Sequence, residues 1–216
     1  MHFAPWNIDH GKILTRREMA LVLADLKARA ERSPNAHFNL ILFRLAACCG
    51  LRVSEIAELQ VGDVDVGKFR PHLRIRPHAA KGRRPRRVPL WWDAGTLADI
   101  AAWKATRLAQ GAQPGEPFLK SQRAGASARP LSRHTLRRRF LTACRVLGLE
   151  RIGALTIHHG RHTFISHTLA GGRTLAEVRD AAGHSNVSVT SAYLHVAVDG
   201  DEGTGELFHF RSEALH

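Results

Sequence analysis

The stretch His158-His159-Gly160-Arg161-His162-Thr163-Phe164, followed by Ala182-Gly183-His184 and then Tyr193-Leu194-His195, decides how this chain is read. Tyr193 is its single tyrosine. Working outward, Gly50-Leu51-Arg52-Val53-Ser54-Glu55-Ile56 stands far upstream. Between the two lies Ala80-Lys81-Gly82, shortly before Arg87-Val88-Pro89-Leu90. Two arginines, a lysine, two histidines and one tyrosine suit the breaking of a phosphodiester through a protein-bound intermediate, without metal. Each motif is short; their order and spacing together carry the weight.

The bulk properties point the same way. A chain of 216 residues can bury a good core in one domain. Its net charge of +13 and pI near 11.0 call for a polyanionic partner, nucleic acid before an anionic membrane. The longest apolar stretch, Phe38 to Leu51, is interrupted by Asn39 and Arg44 and is too short to span a bilayer. The N-terminus lacks the basic and apolar regions of a secretory signal. Cys48, Cys49 and Cys144 form no disulfide framework and no C-x-x-C pair, which fits a reducing cytoplasm. His158, His159 and His162 lie close together, but no acid or cysteine completes a ligand set, so neither metal nor other cofactor is expected.

The pattern predicts a mainly α chain with a small antiparallel β-sheet. Residues 1–14 read as an irregular leader. Thr15-Arg16-Arg17-Glu18 is a capping-box signature for a helix running to about Arg32. A buried helix follows from about Ala36 to Cys49, ended by Gly50, and a short one over Ser54–Leu59. Val61–Val66, Leu73–Arg76 and Arg86–Leu90 read as strands. Later helices are expected over Thr96–Ala109, Ser132–Leu147, Arg161–Ala170, Leu175–Ala182 and Val187–Leu194. From Val66 to Trp92 there are nine Lys or Arg and no acid; from Pro117 to Leu149 there are eight and again no acid. Acid-free runs of that length predict a continuous positive surface rather than scattered solvated charge.

These motifs resemble those of the tyrosine recombinases, or phage-type integrases. The resemblance covers roughly residues 15–198, which it marks as a catalytic domain; residues 199–216 form a tail that could dock in cis or in trans. It implies a site-specific enzyme that cuts and rejoins DNA through a 3′-phosphotyrosyl bond, with neither metal nor ATP. Arg52 and Arg161 would clamp the scissile phosphate, since a planar guanidinium gives paired, charge-assisted hydrogen bonds to phosphate oxygens. Tyr193 would be the nucleophile and His158 the acceptor of its proton, chosen over His159 by its spacing to Arg161. Lys81 would protonate the leaving 5′-oxygen, His184 would donate to the phosphate, and Glu55 would orient its neighbours. His162 is expected to hydrogen-bond within the fold.

Arg83, Arg84, Arg86 and Arg87, with Arg133, Arg137, Arg138 and Arg139, are the expected DNA contacts. The partners implied are double-stranded DNA, further copies of the chain assembled on it, and an accessory DNA-binding protein. Two other readings use the same residues: a topoisomerase IB-like nicking and closing activity, and a DNA-binding regulator that kept the fold with little turnover. The chain departs from the family pattern in three places. The separate N-terminal DNA-binding domain usual in the family is not expected within these residues, which read either as a fragment or as a short member. His159 and Gly160 stand where the family has an acid and an apolar residue, and glycine should weaken a helix start there. Ala182 replaces a leucine.

Overall fold

The computed structural model describes residues 10–78, 85–120 and 130–194. Helix α1 (Arg16–Ala30) opens as its capping box predicts: Thr15 Oγ1 accepts from Glu18 N at 3.1 Å, and Glu18 accepts from Thr15 N at 2.7 Å. Its Met19, Val22, Leu23 and Leu26 recur at helical spacing and are buried. Ser33 caps α2 (Pro34–Phe43), with proline in the first turn where its missing N–H is not needed. The helix continues as a wider turn over Arg44–Cys48.

Arg44 is 2% exposed, a severe placement for a permanent cation. It is held by Asp99 at 2.7 Å and Asp93 at 3.3 Å, both on or capping α4 (Ala94–Ala109). The arginine that interrupts the apolar stretch thus pins the central helix to α4. Gly50 then ends the segment with φ +64. A Cβ there would lie 2.3 Å from Phe164 Cδ1, so both the backbone conformation and the packing require glycine. The next residues form α3 (Val53–Glu58).

The sheet is antiparallel, in the order β1 (Val64–Asp65), β2 (His72–Ile75), β3 (Arg86–Pro89). Its first strand is shorter than predicted, because Val61–Asp63 coils into a single tight turn. The backbone of that turn pairs elsewhere: Val61 N donates to Glu116 O and Gly62 N to Pro114 O, and just before it Leu59 O accepts from Phe118 N. Leu73, Ile75, Val88 and Leu90 point into the core.

Helix α5 (Arg133–Ala143) stacks Phe140 on Phe43 at 5.9 Å. It stops short of the predicted end because the chain tightens at Cys144 and turns at Gly148. The short α6 (Leu149–Ala154) is not among the predicted helices; four of its six residues are exposed, one of them a glycine, and it has no apolar period. Its Arg151 binds Glu18 at 2.6 Å and the carbonyls of Gly11 and Ile13. With Leu14 N donating to Thr163 Oγ1, this draws the end of the expected irregular leader into the core.

Helix α7 (Ile157–Ala170) begins four residues before the predicted start. The His159 ring supplies the missing cap acceptor, taking a bond from Thr156 N at 3.3 Å. Gly160 is where α7 crosses the Arg44–Cys48 turn: a Cβ would meet Ala46 at 3.1–3.2 Å. Close helix approach outweighs glycine's poor propensity here. Helices α8 (Leu175–Ala182) and α9 (Val187–Ser191) close the described chain. Among the described residues, no helix is long and apolar enough to cross a membrane.

Candidate active site

Three consecutive carbonyls at the end of α8 organise the site, each accepting from a different arginine. Ala181 O accepts from Arg86 Nε at 2.8 Å, Ala182 O from Arg161 Nη2 at 2.5 Å, and Gly183 O from Arg52 Nη2 at 3.2 Å. A helix C-terminus suits this role, because its last carbonyls lack helical partners and carry the negative end of the dipole. Gly183 makes the approach possible, with φ +68 and a Cβ position only 2.8 Å from the Arg86 stem. Arg161, from α7, also donates to Gly50 O at 2.8 Å, so one side chain joins its own motif to those of Gly50 and Ala182.

Glu55 sits among these cations at 1% exposure. It accepts from Arg52 Nη1 at 2.9 Å and from Arg52 N at 2.8 Å. Arg86 grips both of its oxygens, at 2.7 Å each. Burial works to raise this carboxyl's pKa, but the hydrogen bonds and charges of Arg86 and Arg52 outweigh it and hold Glu55 ionised. Two guanidiniums thus share one carboxylate, within electrostatic reach of Arg161. Burial and the neighbouring Arg52 make the Arg161 cation less comfortable than usual. His184 is pushed down to about 3 by burial and by Arg161, Arg52 and Arg86. It is therefore neutral near pH 7, and its Nδ1 is 2.9 Å from Thr190 Oγ1. Such a cluster favours an anion.

Tyr193 lies in the turn after α9, 3% exposed. Its hydroxyl is 2.6 Å from Nδ1 of His162, one residue past Arg161. Burial pushes the phenol up to about 12, with Arg161 opposing. Burial, with His158, His159 and Arg161, lowers His162 to about 4. The internal hydrogen bond expected of His162 is thus made to the tyrosine. His158, the expected proton acceptor, is exposed; its ring stands edge-on to His162 at 4.8 Å, a neighbour of the phenol's partner rather than the partner. The sequence marks His162 as an internally bonded histidine but does not point to Tyr193 as its partner.

The structure thus brings together Arg52, Glu55, Arg161, His184 and Tyr193, with His158 at the rim. Of the expected DNA contacts, Arg87, Arg133, Arg137 and Arg138 are exposed. Arg86 and Arg139 instead bind partners within the fold. Arg86 is committed to Glu55 and Ala181, with its side chain 8% exposed. Arg139 binds Asn39 at 2.9 Å and Asn35 at 2.5 Å and lies 4.4 Å over the Phe38 ring, joining α5 to α2. Lys81, Arg83 and Arg84, and the tail, lie outside the described residues.

Residues 12–199 match the phage integrase family, and the chain belongs to it. It is 31% identical over 189 residues to a tyrosine recombinase of Pseudothermotoga lettingae, covering 88% of this chain and 60% of that protein. It is 32% identical to tyrosine recombinase XerC of Chromohalobacter salexigens, over 76% of this chain and 50% of that one. The chain therefore spans about half to two-thirds of the length of such relatives. The crystal structure of XerA recombinase shares the fold with TM-score 0.66 at 18% identity, covering 99% of this chain and 63% of that one. A lambda integrase tetramer bound to a Holliday junction gives 0.59 at 19%, covering 84% and 47%.

Proposed function

We propose that this chain is the catalytic part of a site-specific recombinase that cuts and rejoins DNA through Tyr193. The observation that carries this reading is the placement of Arg52 and Arg161 on adjacent carbonyls, beside the single tyrosine, in a pocket with more cations than anions. A phosphodiester between the two guanidiniums would supply the missing charge, and more so as its oxygens gain charge during attack. Tyr193 Oη bonds to phosphorus and the P–O5′ bond breaks. The phenol proton passes to an imidazole, His162 or His158, and Lys81 gives a proton to the 5′-oxygen. The reverse attack by a 5′-hydroxyl restores the DNA and frees the tyrosine, so the bond energy is kept.

Tyr193 is buried in the structure, so the turn around it must shift for the phenol to reach a phosphate. DNA would be held mainly through its phosphates by Arg87, Arg133, Arg137 and Arg138, with Lys81, Arg83 and Arg84 contributing from the sequence between β2 and β3. The lambda integrase tetramer bound to a Holliday junction supports action on DNA in an assembly of several copies; such action would take place in the cytoplasm, on the nucleoid. An N-terminal DNA-binding domain like the one those longer relatives have room for, or an accessory protein, would complete the grip.

Rejoining tests this directly. The protein is incubated with nicked suicide duplexes drawn from DNA flanking its gene, and a 5′-hydroxyl oligonucleotide is then added. Conversion of covalent complex into ligated DNA, without ATP, supports a recombinase. Tight, salt-sensitive binding with neither cleavage nor joining supports a regulator that kept only the fold.

A further inference from the structure

Arg86 is turned onto Ala181 O and Glu55, and these surroundings suggest a role beyond DNA contact. It stands at the start of β3, the strand that follows the segment carrying Lys81. Its fork closes on both oxygens of Glu55, and its Nε takes the carbonyl next to the two held by the catalytic arginines. Four hydrogen bonds thereby occupy the Glu55 carboxylate, two from Arg86 and two from Arg52.

The consequence is electrostatic. A buried carboxylate facing only Arg52 would pair with it fully and draw that guanidinium's charge and donors away from any other anion. Sharing Glu55 with a second guanidinium leaves Arg52 charge to give. Resting on the proposed chemistry above, we propose that Arg86 is a positioning residue: it shares Glu55 so that Arg52 remains available to a phosphate, and it ties β3 to the carbonyl ladder that aims Arg52 and Arg161. Lysine at this place would keep the charge but could not reach both carboxylate oxygens and Ala181 O together.

The test compares wild type with Arg86→Met, Arg86→Lys, Glu55→Gln and the Glu55→Gln/Arg86→Met double variant, all checked for folding by circular dichroism. The first readout is inorganic phosphate binding, followed by the His184 ring resonances in NMR, which needs no target DNA. The second is covalent adduct formation with suicide duplexes. Arg86→Met should weaken phosphate binding and slow adduct formation by about tenfold or more, while duplex affinity and its salt dependence stay near wild type. Arg86→Lys should fall between, and it keeps the test open should the methionine variant fold poorly. The double variant should recover phosphate binding relative to Arg86→Met, because the carboxylate that monopolises Arg52 is gone.

A purely structural role would make the double variant equal to or worse than the single, and that result overturns the proposal. So would wild-type phosphate binding in Arg86→Met. If the phosphate pattern holds but wild type forms no adduct on any duplex, the recombinase reading fails and the role of Arg86 stands.

Discussion

The Tyr193 hydroxyl lies 2.6 Å from Nδ1 of His162, and both side chains are almost inaccessible. With the phenol raised to about 12 and the imidazole lowered to about 4, both are neutral near pH 7. Transfer within the resting pair is strongly uphill, so the imidazole would take the proton only as the phenol's charge passes to phosphorus during attack. His162→Ala should therefore slow single-turnover cleavage by about a hundredfold, and His158→Ala by less. Quench-flow measurement of adduct formation checks the order. A larger loss at His158 would mean the phenol leaves His162 before it reacts.

Acid should destabilise the fold through its buried histidines. His162 and His167 titrate near 4 and His184 near 3 in the folded chain, against 6.5 for a free side chain. Above 6.5 these rings are neutral whether the chain is folded or not, and their contribution is fully present. Between 6.5 and about 4 the unfolded chain takes up protons that the folded chain cannot, so stability falls with pH. Urea unfolding should show a loss on the order of 2 kcal/mol or more from pH 7 to pH 5. His167→Gln should flatten that slope. Equal stability at both pH values would contradict the burial of these rings.

Gly50 offers a sharp stability test. Alanine there meets both a φ of +64 and a Cβ contact of 2.3 Å with Phe164. Gly50→Ala should lower stability by about 2 kcal/mol or more. Adding Phe164→Leu should return the steric part and leave the backbone part. Thermal unfolding of the two variants separates the terms.

The exposed and inward arginines should differ in their salt dependence. Removing Arg133 or Arg137 should weaken duplex binding and reduce the magnitude of the log–log salt slope by about one. Arg139→Ala should leave that slope unchanged and lower the melting temperature, because it cuts the tie between α5 and α2. Filter binding across a salt series distinguishes the two classes.

Much of this was legible in the residues. The capping box at Thr15, the glycine end at Gly50 and the full span of α8 follow from local chemistry, and the structure has them where the sequence puts them. What escaped sequence reading depends on contacts between distant segments. Helix α7 starts early because Gly160 meets Ala46 and His159 caps it. The first strand is short because Val61 and Gly62 pair with residues 114–116. Arg86 and Arg139 read as surface cations because a run of arginines gives no sign of which member has a partner inside the fold. His162 was legible as a structural histidine, but its partner lies thirty-one positions away.

The most direct test of the central claim is the chemical identity of the protein–DNA bond. Wild type and Tyr193→Phe are incubated with nicked suicide duplexes, digested with trypsin and nuclease, and the peptides are sequenced by mass spectrometry. Wild type should carry a phosphodiester remnant on the Tyr193 peptide, and the phenylalanine variant should form no adduct. An adduct on another residue, or one that persists in Tyr193→Phe, would rule out Tyr193 as the nucleophile.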